Sequence, residues 1–246
     1  MHARYVGACA VFGLDNTLVR GSSLYYFGRA LAAHGLLDPR RLLPHVLAEA
    51  CFRCGRGERL GRPDRVAASI KGLVGGCEVS TLSEFADAWA PEFLQSHGIR
   101  CMVDAVQEFR EHGFGVVIAT ASLQELAESF ATCLQADAGI GTVAEVRSGR
   151  FWDVLASRVA QGPVKAHEVS SWLQERCLDA AGSWAFSGSV NDTPLLNLVG
   201  LPVVVNADAR LRGVAKERGW RSLRGSDPWP GLQSLGTDPS AGSCST

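Results

Sequence analysis

Three polar positions stand where apolar runs stop, and with one lysine their side chains suit proton transfer on an anionic molecule. Asp15 follows the run 5–14, Thr120 closes 114–120, and the loop Ser187-Gly188-Ser189-Val190-Asn191-Asp192 follows 184–186. Lys165 opens a helical stretch and is one of three lysines, with Lys71 and Lys216, among 24 basic residues. Positive charge is unfavourable against the dipole at a helix start, which favours a functional role for Lys165 over a surface one. A carboxylate offers acid–base chemistry. An ammonium, a hydroxyl and the main-chain N–H groups after the first strand offer a seat for a carboxylate or phosphate.

These residues need elements to position them. Short, nearly all-apolar runs at 5–14 and 114–120 read as strands buried on both faces, and 184–187 and 201–206 repeat the pattern. Helical spacing fills much of 24–112, and again 123–134, 165–177 and 208–218. Strands alternating with helices predict an α/β fold with a parallel sheet. In such a sheet the ligand crevice lies at the carboxyl ends of the strands, where Asp15, Thr120 and the 187–192 loop fall. The stretch between the first two strands is too long for a simple crossover and predicts an inserted module of four or five helices. The expected division is a core over 1–20 and 113–224, a helical cap over 21–112, and a disordered tail over 225–246, rich in Gly, Ser, Pro and Thr. Within it, Ser80 or Ser83 is expected to cap a helix carrying Leu82, Phe85, Trp89 and Phe93, and 139–152 reads as a small hairpin.

These motifs resemble the haloacid-dehalogenase-like (HAD) superfamily, in particular its phosphoserine-phosphatase-like branch with a helical cap after the first strand. The resemblance covers about residues 5–224 and is strongest over Gly162–Trp220, with Lys165, Asn191-Asp192, Pro194-Leu195-Leu196, Val205-Asn206-Ala207-Asp208 and Gly219-Trp220 in family order. It implies a HAD-like (Rossmann-like) parallel sheet core. It also implies a first motif D-x-D-x-T with a nucleophilic aspartate and an acid/base aspartate, a phosphate-holding Ser or Thr (Thr120), a lysine (Lys165), and acidic magnesium ligands in a fourth motif.

Two departures change the implied chemistry. The first motif reads Gly13-Leu14-Asp15-Asn16-Thr17, so the nucleophile's position is a glycine. The first aspartate of the fourth motif, a direct magnesium ligand in the family, falls on Gly188. Covalent phosphoryl transfer needs a nucleophile at phosphorus, and glycine supplies none. Magnesium is usually held through one or two carboxylates, and both direct ligands are gone, so no magnesium is expected. The two glycines are expected to leave open space where ion and nucleophile would sit. Lys165 then either binds an anionic group directly or, if desolvation dominates, acts as a base. Asp192 is expected to cap the following helix and to orient Lys165. Arg20, Ser22 and Ser23 follow the first motif and, by the resemblance, face the substrate. Tyr25, Tyr26 and Phe27 read as cap core.

Composition narrows the class. With 24 Lys+Arg against 25 Asp+Glu, the net charge of -1 argues against nucleic acid as a partner. No apolar run reaches membrane-spanning length and no secretory leader is recognisable, so a cytoplasmic protein is expected, its eight cysteines reduced. Cys51 and Cys54 form a C-x-x-C pair without a second ligand pair, and the six histidines show no metal spacing. The expected function is that of a metal-independent enzyme that is not a phosphatase, with Asp15 as acid/base and Lys165, Thr120, Asn191 and Asp192 around an anionic or carbonyl-bearing small molecule. Elimination, isomerisation, cyclisation and group transfer all fit. The alternatives are a pseudo-phosphatase that binds a phosphorylated metabolite or a protein partner without turnover and, behind it, a phosphomonoesterase.

Overall fold

The computed structural model of the chain describes residues 7–42 and 63–235. Cys51, Cys54, His45, most of the helix expected over 40–54, and residues 236–246 of the tail lie outside the described residues.

The first apolar run forms β1 (Cys9–Gly13), buried along its whole length. It is central because both neighbours bury it: β2 (Gly115–Leu123) on one side and β6 (Trp184–Ser187) on the other, both parallel. With β3 (Ala138–Thr142), β7 (Leu201–Val205) and β8 (Arg221–Leu223) they make a six-stranded sheet in the order β3-β2-β1-β6-β7-β8. Every pairing in it is parallel. Such a sheet needs cover on both faces, which is why its strands show no polar alternation.

One face is covered by α4 (Arg100–Glu111), whose Met102, Ala105, Val106 and Phe109 meet Phe12 and Phe186. Phe12 stacks on Phe186 at 4.6 Å, and Phe109 meets both rings edge-on. The other face is covered by α6 (Pro163–Glu175), α7 (Thr193–Leu198) and α8 (Ala209–Arg218), which set Val169, Leu195, Leu196 and Leu211 against Val11, Val117, Ala185 and Val204. Residues 100–111 were expected in the cap. They lie on the sheet because the aromatic face of β1 and β6 needs their apolar stripe.

A second core gathers α1 (Ser23–Ala33), α2 (Pro63–Val74) and α3 (Val79–His97), with Phe27, Leu31, Ile70, Leu73 and Leu82 packed together. Helix α3 begins before both serines expected to cap it; Glu78 precedes it and makes no side-chain cap. Phe151 joins this core from a hairpin of β4 (Ala144–Arg147) and β5 (Arg150–Leu155). The hairpin expected over 139–152 therefore starts later. Residues 138–142 are the sheet's edge strand instead, because Gly139 lets that strand press on α5 (Gln124–Cys133): an added Cβ would lie 2.3 Å from the Ala127 main chain.

The expected disorder of 225–246 does not hold for 225–235. Leu235 is buried within α9 (Leu232–Leu235), and the Trp229 ring rests against Phe109 and Phe186. Among the described residues no helix is long and apolar enough to cross a membrane.

Candidate active site

The carboxyl ends of β1 and β6 and the first turn of α6 bring the ionisable groups together. Lys165 enters from α6, which starts at Pro163 after Gly162 in the left-handed region (φ 59°). Its ammonium lies 2.8 Å from Asp192 Oδ1, and the two side chains are only 6% and 7% exposed. Ser187, the last residue of β6, donates its hydroxyl to the other oxygen, Asp192 Oδ2, at 2.7 Å. Both carboxylate oxygens are thus engaged, and Asp192 makes no cap on α7, contrary to expectation. Asp208 fixes the same loop from outside: Oδ2 accepts the Val190 N–H at 2.9 Å while Oδ1 caps α8 through Leu211 N–H.

Asp15 sits on the loop after β1. Its Oδ1 accepts the Ser23 N–H at 2.7 Å, tying the loop to the start of α1. Burial pushes its carboxyl above the usual aspartate range. The hydrogen bonds from Ser23 oppose that shift, as does the charge of Lys165, while Asp192 adds to it. The neighbouring Asn16 adopts a left-handed φ of 56°, which asparagine tolerates, and its Oδ1 accepts the Gly21 N–H at 3.1 Å.

A raised carboxyl pKa has a definite sign in stability. The neutral form is favoured in the fold, so its contribution is full below the ordinary value of 3.8 and is lost as pH rises through the folded value. Asp15→Asn keeps an acceptor for Ser23 and removes the ionisation. Its unfolding midpoint is therefore expected to exceed that of the wild type near neutral pH, and the gap to close near pH 4. A gap that stays constant over that range in urea titrations would refute the assignment.

The remaining expected residues are placed as follows. Thr120 is buried inside β2, which runs three residues past it to Leu123 rather than stopping there as expected, and its Oγ1 accepts the Ser122 N–H at 3.1 Å. Asn191 lies in the short 3-10 turn Val190–Asp192, half-buried, with its N–H on Ser189 Oγ. Ser22 caps α1, accepting the Tyr25 N–H. The Arg20 side chain is exposed, and its N–H donates to His97 O. Phe27 is core as expected, whereas Tyr25 and Tyr26 are half-buried.

The space expected beside the two glycines is absent. A Cβ on Gly188 would lie 2.5 Å from the Val205 carbonyl oxygen, with Asn16 O and Asn206 O at 3.3 and 3.6 Å. A Cβ on Gly13 would meet Thr17 Oγ1 at 3.1 Å and Phe186 O at 3.3 Å. Main chain alone closes on Gly188, while Gly13 is crowded by the Thr17 side chain and one carbonyl. Thr17 Oγ1 and Ser122 Oγ are buried without a hydrogen-bond partner. A cavity of about 470 Å³ lies elsewhere, lined by Leu31, Leu37, Arg41, Cys77, Glu78 and Arg150 among others, and none of its lining residues belongs to this cluster.

The family model of haloacid dehalogenase-like hydrolases matches residues 10–197. The phosphoserine phosphatase SerB1 of Mycobacterium tuberculosis is 36% identical over 215 residues, spanning 87% of this chain and 69% of that protein. The "inhibition of morphological differentiation protein" of Streptomyces azureus is 28% identical over 214 residues, 87% of this chain and 77% of that one. Among solved structures, a protein of unknown function from Bordetella pertussis Tohama I matches with a TM-score of 0.74 and 25% identity, over 88% of this chain and 97% of its own.

Magnesium, which the family resemblance implies, is judged against the donors present. Gly13 and Gly188 carry none, both oxygens of Asp192 are held by Lys165 and Ser187, and Asp15 Oδ1 is held by Ser23. Among the described residues no three His, Cys, Asp or Glu side chains gather as a metal site. The residues present do not fit the ion.

Proposed function

The chain belongs to the haloacid dehalogenase-like hydrolase family, and from that premise we propose that it acts on a small anionic or carbonyl-bearing molecule without phosphatase chemistry. Asp15 is the proton-transfer group in this reading. One arrangement carries it: a carboxylate fixed by the Ser23 N–H and within the field of the buried Lys165–Asp192 pair, at a site whose nucleophile position is glycine. A raised pKa brings a carboxyl closer to working pH and makes it a better acid or base. Lys165, committed to Asp192, acts on Asp15 through its field rather than as a free anion ligand. Gly13 and Gly188 supply neither a nucleophile nor a metal ligand, and Thr120 and Asn191 complete the seat. Elimination, isomerisation, cyclisation and group transfer are the reaction classes that need only these parts.

The second reading is a protein that binds a phosphorylated metabolite or a protein partner without turnover. The mutual neutralisation of Lys165 and Asp192 favours it, as does a relative named for an effect on differentiation rather than for a reaction.

The test starts from the molecule that co-purifies with the protein, identified by mass spectrometry. Asp15→Asn is expected to abolish its turnover while leaving its Kd within about threefold, since the Ser23 contact survives. Binding with no turnover by the wild type would select the second reading. Magnesium-dependent release of phosphate from a generic aryl phosphate would sink both and leave the phosphomonoesterase that several relatives' names denote.

A further inference from the structure

Gly225 follows β8 at a point where a side chain has no room. An added Cβ would lie 2.6 Å from Asn206 Nδ2 and 2.8 Å from Ile99 Cγ2. The Gly225 N–H donates to Asn206 Oδ1 at 2.8 Å. The other end of the same amide, Nδ2, donates to the main-chain oxygen of Asn16 at 3.4 Å. Asn206 stands just past β7 with a left-handed φ of 48°, its own N–H on Leu223 O. Two left-handed asparagines, 206 and 16, are therefore joined in series, and Asn16 continues the path to Gly21 through its Oδ1. Asp15, bonded to Ser23 N–H, immediately precedes Asn16 in this loop.

The segment 225–235 is itself held at its far end. Both Glu108 oxygens are used: one accepts the indole N–H of Trp229, the other the Leu232 N–H at 3.0 Å. Near Gly225, Cys101 Sγ points at the Gly225 oxygen at 3.7 Å, and Ile99 N–H donates to Leu18 O at 2.8 Å. The first turn of α4 thus touches both the strap and the loop after β1.

We propose that Asn206 is a positioning residue through which the C-terminal strap 225–235 holds the Asp15 loop in register with the rest of the site. The inference extends the proposed function and rests on it for its catalytic consequence; the mechanical coupling stands apart from it. The path carries no charge and runs along the surface, so it acts by restraining the loop.

Amide exchange followed by NMR on the full chain tests this. Asn206→Gly retains the left-handed backbone, which glycine adopts readily, and deletes both arms of the bridge. Exchange is expected to rise about fivefold at Gly225 and also at Gly21 and Ser23, the scale of one lost hydrogen bond, with Val117 and Phe186 unchanged. Faster exchange at Gly225 alone would overturn the proposal. Glu108→Gln loosens the strap from its other end without touching the loop, and is expected to raise exchange at Gly21 and Ser23 about twofold. If Asn206→Gly does not fold, Glu108→Gln decides: unchanged exchange at Gly21 and Ser23 overturns the proposal. Neither measurement uses turnover, so a failure of Asp15 as the acid or base stays separable from a failure of the bridge.

Discussion

Lys165→Met is expected to cost about 3–5 kcal/mol of folding stability, the scale for removing one partner of a buried ion pair. The loss is that large because Asp192 cannot follow its partner out. Its carboxylate is 7% exposed, and a single hydroxyl, Ser187 Oγ, would remain to stabilise the charge. Against a total stability of about 5–15 kcal/mol, the variant would sit near the edge of folding. Removing both charges reverses the logic. Lys165→Met with Asp192→Leu leaves apolar surface in an interior that already holds Leu195 and Leu196, and such replacement of a buried pair is often neutral. The double variant is expected to recover most of the loss, so that the double-mutant cycle gives a large coupling. Urea unfolding of the four proteins measures it. A cost below about 1 kcal/mol for Lys165→Met would mean a solvated pair, and the site would need another account.

Gly188→Asp is the second large effect, and it opposes the simplest idea of repair. Reinstating a carboxylate at each glycine would restore the family's motif on paper. At Gly188 the new Cβ meets the Val205 carbonyl at 2.5 Å, and that oxygen belongs to β7, which is paired on both sides by β6 and β8. Main chain held in a sheet gives way far less readily than the end of a flexible side chain. The expected cost is about 2–3 kcal/mol, at the upper end for overpacking a filled interior, and Gly188→Ala is expected to show most of it. Gly13→Asp is milder, since Thr17 Oγ1 at 3.1 Å is a side-chain atom able to turn. Gly13→Asp combined with Gly188→Asp is expected to release no phosphate from an aryl phosphate with magnesium present. A doubly substituted protein with the wild-type Tm and magnesium-dependent phosphatase activity would show that the closure around Gly188 is soft.

The legible parts of the molecule share one property. Strands β1, β2, β6 and β7 are buried on both faces, so they have no polar side and read as unbroken apolar runs. The polar residues that end them, Asp15 and the 187–192 loop, were visible for the same reason. Three features were hidden. Strand β8 is three residues of edge, Arg221–Leu223, too short for any periodicity. The strap reads as Gly, Pro and Ser, while what holds it is Trp229 bonded to Glu108, 121 residues away in sequence. The closure on Gly188 is an approach of one main-chain carbonyl to an α-carbon, which no residue type announces; a glycine shows only that a side chain is missing. The partner of Asp192 was half visible. Lys165 was expected near it, but Ser187 completing the pair depends on the register of β6, which sequence does not set.

The central place of β1 has a consequence for how the molecule is made. Cys9 pairs with Gly115 and Ala10 with Trp184, and Cys9 N–H donates to Ser183 Oγ across 174 residues. During synthesis β1 is therefore made before both of its partners, and its edge toward β6 stays open the longer. Both edges of this apolar segment are open until β2 is made and one of them until β6 is made, and such delayed long-range pairing slows folding and exposes the chain to aggregation. The loop bearing Asp15 hangs from that strand. The loop therefore reaches its final surroundings only after translation has passed β6, which supplies Ser187 and the turn to Asp192.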